Sequence, residues 1–176
     1  MRNFAFKSLL AMGSAVVLMA AGSASAQIVV KPSSATSPVS STWRLNGDLA
    51  MHQSQDLTCN ADFYLTVNAD GKTGSVTSGS FSGGLGCGFP LVYPRNFSWP
   101  VTFTYVDTNT ATFNMALDVQ ALFNVCVGSL TGTFRDTQEV EFNTASVAGS
   151  SPVCTVDGVL SVTPISHPSN TLEVVP

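Results

Sequence analysis

Charge is scarce in this sequence. Only 10% of its 176 residues are Asp, Glu, Lys or Arg, and the 11 acids outnumber the 7 bases. A nucleic-acid binder needs a basic face to displace counterions, so that class is excluded. Sparse charge with a mean hydropathy of +0.26 also excludes a disordered polyelectrolyte. Histidine occurs twice, as His52 and His167, and cysteine four times with no C-x-x-C pair. That is too few soft ligands at the wrong spacing for a zinc centre, so no metal is expected. Downstream of residue 26 no segment repeats its apolar residues at helical spacing, and no long apolar run follows.

The one apolar run is N-terminal. Arg2 and Lys7 precede Leu9–Ala21, and Ala24-Ser25-Ala26 supplies a small-x-small cleavage pattern. The run is too short for a membrane span and lacks a stop-transfer cluster. Residues 1–26 therefore read as a secretory signal peptide cut before Gln27, leaving no transmembrane anchor. Residues 27–41 read as an extended arm or linker, 42–163 as one β domain and 164–176 as a tail or last strand. Ser and Thr supply 36 of the 150 residues from Gln27 onward. Such a hydroxyl-rich surface offers little charge repulsion between neighbours.

The dominant pattern is alternation. Leu57, Cys59, Ala61, Phe63, Leu65 and Val67 are apolar while the residues between them are mostly polar, as in a strand with one buried face. The same period runs through Phe97–Tyr105, Ala111–Phe123, Cys126–Phe134, Val140–Phe142 and Cys154–Val162. An earlier strand, Trp43–Met51, is expected to break at Gly47. Pro100 has no N–H and points to an edge strand or a bulge. Asn68–Gly71 and Asp107–Thr110 read as turns. The expected fold is all-β, a single-domain antiparallel β-sandwich or partly open barrel. The cysteines suggest a duplicated β unit, because Cys59 to Cys87 and Cys126 to Cys154 both span 28 residues. Pairing within each unit is preferred among three possible connectivities, and export makes disulfides plausible.

Catalytic sets are missing. His52 precedes a polar turn and His167 sits in a Pro-flanked tail, so neither is poised beside a serine nucleophile. Gly79-Ser80-Phe81-Ser82-Gly83 has Phe at the centre and no helix after it, unlike a nucleophile elbow. Gly83–Gly88 opens no helix and is no phosphate cradle. Glu139 and Glu141 share a strand face and read as edge charges rather than a glycosidase pair. Asp107, Asp136 and Asp157 fall in expected turns without a calcium-loop pattern. Asn96-Phe97-Ser98 matches a glycosylation sequon. No cofactor and no catalytic residue is expected. Two sets of binding candidates stand out. Tyr93, Phe97, Trp99 and Tyr105 could face a ligand. Ile28, Val29, Val30, Leu172, Val174 and Val175 could join one copy to another by strand addition.

The ordered series Leu57-Thr58-Cys59-Asn60-Ala61-Asp62-Phe63, Asp70-Gly71, Val76–Gly83 and Cys87 resembles the alkane oxidation protein activators of the PraB type. Trp99-Pro100-Val101, Cys126-Val127-Gly128, Cys154, Asp157-Gly158 and Leu160 extend the resemblance over residues 43–164. It implies a small secreted bacterial protein of the cell surface or biofilm matrix, associated with adhesion and with growth on hydrocarbons. It implies no catalytic residues. The expected function is a non-enzymatic surface, matrix or adhesive protein that contacts itself, other matrix components or oily surfaces. The alternative is a monomeric extracellular module binding a lipid, sugar or small apolar ligand.

Overall fold

The computed structural model describes residues 27–31, 40–53, 55–166 and 168–175, the first stretch as backbone only. The signal-peptide reading of residues 1–26 and the tail histidine His167 lie outside the described residues.

The strands are β1 (Gln27–Lys31), β2 (Ser41–His52), β3 (Asp56–Val67), β4 (Thr73–Ser82), β5 (Val92–Pro94), β6 (Trp99–Asp107), β7 (Thr110–Ala121), β8 (Asn124–Arg135), β9 (Glu139–Ser146), β10 (Thr155–Pro164) and β11 (Thr171–Val175). Strands β2, β3, β4, β6, β7, β8, β9 and β10 follow one another round a single sheet, each antiparallel to the next. Because β10 also pairs with β2, the sheet closes into an 8-strand barrel. This corrects the expected sandwich or partly open barrel. Each strand buries one face, which suits either architecture, but closure gives both the first and the last strand of the sheet a partner. The short β5 adds to β7 beyond the point where β6 stops pairing.

The interior is filled by side chains. Trp43, Phe63, Phe113, Phe134, Phe142 and Leu160 are among those with less than 2% exposure. Phe63 meets Trp99 edge-on at 5.5 Å between ring centroids, and Phe113 meets Phe142 at 6.2 Å. The break expected at Gly47 does not occur; the register of β2 with β3 is continuous from Ser41 to His52.

The barrel consists of two like halves. In each, the second strand carries a cysteine bonded to the loop between the third and fourth strands: Cys59 of β3 to Cys87, and Cys126 of β8 to Cys154. Both halves also place a bare glycine under a phenyl ring on the neighbouring strand. A Cβ on Gly79 would overlap the Phe63 ring, and one on Gly132 would overlap the Phe142 ring.

The two ends of the barrel are built differently. At one end lie the turns 68–72, 108–109 and 136–138. Here β1 and β11 form a separate two-stranded sheet that caps the barrel. Leu172 and Val174 of β11 are 0% and 5% exposed and join the core. Gln138 supplies a substitute strand edge: its Nε2 donates to the Leu172 carbonyl at 2.8 Å and its Oε1 accepts from the Leu172 N–H at 3.0 Å. The Val174 N–H donates to Asp136 at 3.0 Å.

Candidate functional site

The opposite end carries Gln53, Gln55 and the segments 83–98, 122–123 and 147–154, and both disulfides tie into it. A void of about 10 Å³ lies beside Met51, Leu57, Leu122 and Cys126. That is about the room one water needs.

The rim around this end is apolar. Leu85 is 100% exposed, Phe123 90%, Phe89 81% and Val153 63%. Exposed apolar residues that stand singly are ordinary; here several occur at the tips of loops on one end of the barrel. The loops are laced together. The Leu122 N–H donates to the Leu91 carbonyl at 2.7 Å, and Gln53 Nε2 donates to the Pro152 carbonyl at 3.2 Å. Phe89 packs on Tyr93 with ring centroids 5.1 Å apart. Segments 83–91, 119–134 and 147–154 contain no Asp, Glu, Lys or Arg. At the same end His52 and Asp56 lie 2.8 Å apart, and Arg95 faces Asp118 at 3.6 Å.

Turn chemistry underlines the point. A two-residue hairpin of this kind favours Asn-Gly or a similar pair. Here it is Leu122-Phe123, and Leu122 takes a φ of 54°. A leucine in the left-handed region costs about 1 kcal/mol or more. The tip therefore carries apolar side chains against its backbone preference.

The sequence candidates are distributed elsewhere. Trp99 is 2% exposed and its Nε1 donates to the Arg95 carbonyl at 2.7 Å; Phe97 lies against it at 4.5 Å. Tyr93, Phe97 and Tyr105 are half-buried, so the four do not form one platform. Tyr93 joins the rim through its contact with Phe89. Ile28, Val29 and Val30 pair with Val174, Glu173 and Leu172 of the same chain, and Gln27 with Val175. Asp157 lies in β10 rather than in a turn, where it accepts from the Thr144 N–H at 2.9 Å. Glu141 is held by Arg135 at 2.6 Å and Glu139 accepts from Thr137. Among the described residues no three His, Cys, Asp or Glu side chains gather as a metal cluster. Sequence reasoning missed Leu85, Phe89, Phe123 and Val153; the available signal was apolar side chains at turn positions.

A family model described as alkane oxidation protein activator PraA/PraB-like matches residues 1–168. The chain belongs to the PraA/PraB-like family. No curated protein and no solved structure matches it. Within this PraA/PraB-like chain the two disulfides indicate an oxidising, non-cytoplasmic location. Among the described residues no helix is long and apolar enough to cross a membrane.

Proposed function

We propose that this PraA/PraB-like protein is a secreted, non-enzymatic surface or matrix protein that engages oily surfaces end-on through its apolar rim. The observation that carries the reading is the exposure of Leu85, Phe89 and Phe123 on charge-free loops. The family description, an alkane oxidation protein activator, fits a protein that brings hydrocarbon and cell surface together. A rigid rim suits this task. The disulfides fix loops 83–91 and 147–154 to the barrel, so little ordering entropy is lost on contact. The filled interior favours a surface over a ligand enclosed in the barrel.

The test is partition of the purified secreted chain between buffer and hexadecane droplets. Wild type is expected at the droplet surface. Leu85→Ser, Phe89→Ser and Phe123→Ser together are expected to weaken adsorption at least about 100-fold, since each buried apolar side chain contributes roughly 1.5–3 kcal/mol. Thermal unfolding should be unchanged because these side chains support no core. Wild type that ignores droplets, or a triple variant that adsorbs equally well, would overturn the reading.

A further inference from the structure

The two halves of the barrel repeat one disulfide but not its surroundings. Cys59, Cys126 and Cys154 are buried, whereas Cys87 is only half-buried. It stands in the stretch Gly83-Gly84-Leu85-Gly86-Cys87-Gly88, where its neighbours are glycines and the fully exposed Leu85. A Cβ on Gly84 would come within 4.0 Å of the Cys87 Sγ, so a side chain there would screen the sulfur and glycine leaves it open. In the other half Cys154 follows Pro152 and Val153, and its N–H is held by Ser150 Oγ at 2.9 Å.

The backbone around Cys87 is held mainly by itself. The Cys87 N–H donates to the Gly84 carbonyl at 3.2 Å, and the Leu91 N–H to the Gly88 carbonyl at 3.0 Å. The Leu91 carbonyl, accepting from Leu122, ties the far end of the loop. Between that bond and the end of β4 at Ser82, the Cys87 Sγ supplies the covalent tie to β3. Exchange with a thiolate depends on access to the sulfur attacked, and Cys87 is the sulfur with open surroundings.

We infer that Cys87 is a thiol-exchange site, at which a small thiol unlocks loop 83–91 while the Cys126–Cys154 bond stays closed. The attacking thiolate bonds to the Cys87 Sγ as the Cys59–Cys87 bond breaks. The electron pair leaves on the Cys59 Sγ, which takes a proton from water. A monothiol stops at a mixed disulfide on Cys87. A dithiol closes on itself, so that it is oxidised and both cysteines are reduced. Release of the loop unfixes Leu85 and Phe89 and turns oil contact down; this consequence rests on the proposed role of the rim, and the exchange chemistry does not.

The test is treatment of the folded, full secreted chain with glutathione or dithiothreitol, followed by alkylation and peptide mass mapping. The Cys59–Cys87 bond is expected to open at least about tenfold faster than Cys126–Cys154, with glutathione on Cys87 and not on Cys59. Gly84→Val should slow opening of the first bond several-fold and leave the second unchanged. Equal rates for the two bonds in wild type, a comparison that needs no variant, would overturn the proposal. So would glutathione on Cys59, or unslowed opening in a folded Gly84→Val chain. Adsorption of the opened, alkylated chain to hexadecane droplets is read separately and should be about tenfold weaker, because the freed loop must be ordered on contact. Undiminished adsorption would overturn the regulatory consequence. Wild type that ignores droplets would overturn the role of the rim and leave the exchange result standing.

Discussion

The two ends of the barrel solve the same problem in opposite ways. At the capped end the loops are polar and short. Their open space is closed by β11, which buries Leu172 and Val174 and is gripped by Gln138 and Asp136. At the rim no strand covers the loops. They are tipped with apolar side chains, and the two long ones, 83–91 and 147–154, are held by covalent bonds from Cys59 and Cys126. The capped end exposes Val106 at 57% and Ile165 at 47%, less than Leu85, Phe89 and Phe123 on the rim. Cross-linking the loops instead leaves Leu85, Phe89 and Phe123 available. The disulfides thus let the rim be ordered and sticky at once.

The largest expected effect comes from removing those bonds. Each closes a loop with a sequence separation of 28 residues, so chain entropy assigns it about 3–4 kcal/mol. Cys126→Ala with Cys154→Ala should lower unfolding free energy by about that amount, read from a denaturant titration. Hydrogen exchange should show loop 147–154 losing protection while residues 171–175 keep theirs. Equal loss at both ends would mean that the barrel opens as one unit and that the contrast between its ends has no energetic basis.

Next come two leucines, one from each end. Leu172→Ala empties a fully buried site and should cost about 2–5 kcal/mol. Leu85→Ala changes a side chain that is 100% exposed and should stay within about 0.5 kcal/mol. Urea unfolding of the two variants measures the difference. A substantial cost at Leu85 would show that the rim is packed rather than presented.

Legibility in the sequence follows the same division. Alternation is a local property of each strand, so the strands and Trp99's place in the core could be read from spacing. Closure could not, because it depends on β10 meeting β2 more than a hundred residues away, and a sandwich demands the same alternation. The disulfide pairing was readable because the barrel's two halves repeat one spacing. The rim was not: Leu85, Phe89 and Val153 sit in loops, where no period marks an apolar residue as exposed or buried, and Phe123 continues the β7 alternation in sequence although the hairpin turn leaves it 90% exposed. The grip on β11 was equally hidden. Asp136 and Gln138 are ordinary turn residues until the fold brings a strand edge beside them.

Acid separates the ends at the smallest scale. At the capped end the Thr73 hydroxyl, helped by backbone N–H groups of Thr73 and Lys72, holds the Asp70 carboxyl below its ordinary value. The Asn109 N–H and the Thr110 side chain do the same for Asp107. A carboxyl depressed in the folded state stabilises the fold fully above its unfolded pKa, and that contribution is lost as pH falls through the folded pKa. The capped-end turns should therefore loosen as pH is lowered from about 5 to about 2. The rim segments 83–91, 122–123 and 147–154 hold no carboxylate and should not respond directly. Both groups are largely exposed, so the effect is small and is best read residue by residue from amide exchange. Asp70→Asn should remove the acid response of turn 68–72 and leave turn 108–109 unchanged; acid loosening that begins in the rim would contradict the assignment of this pH dependence to Asp70 and Asp107.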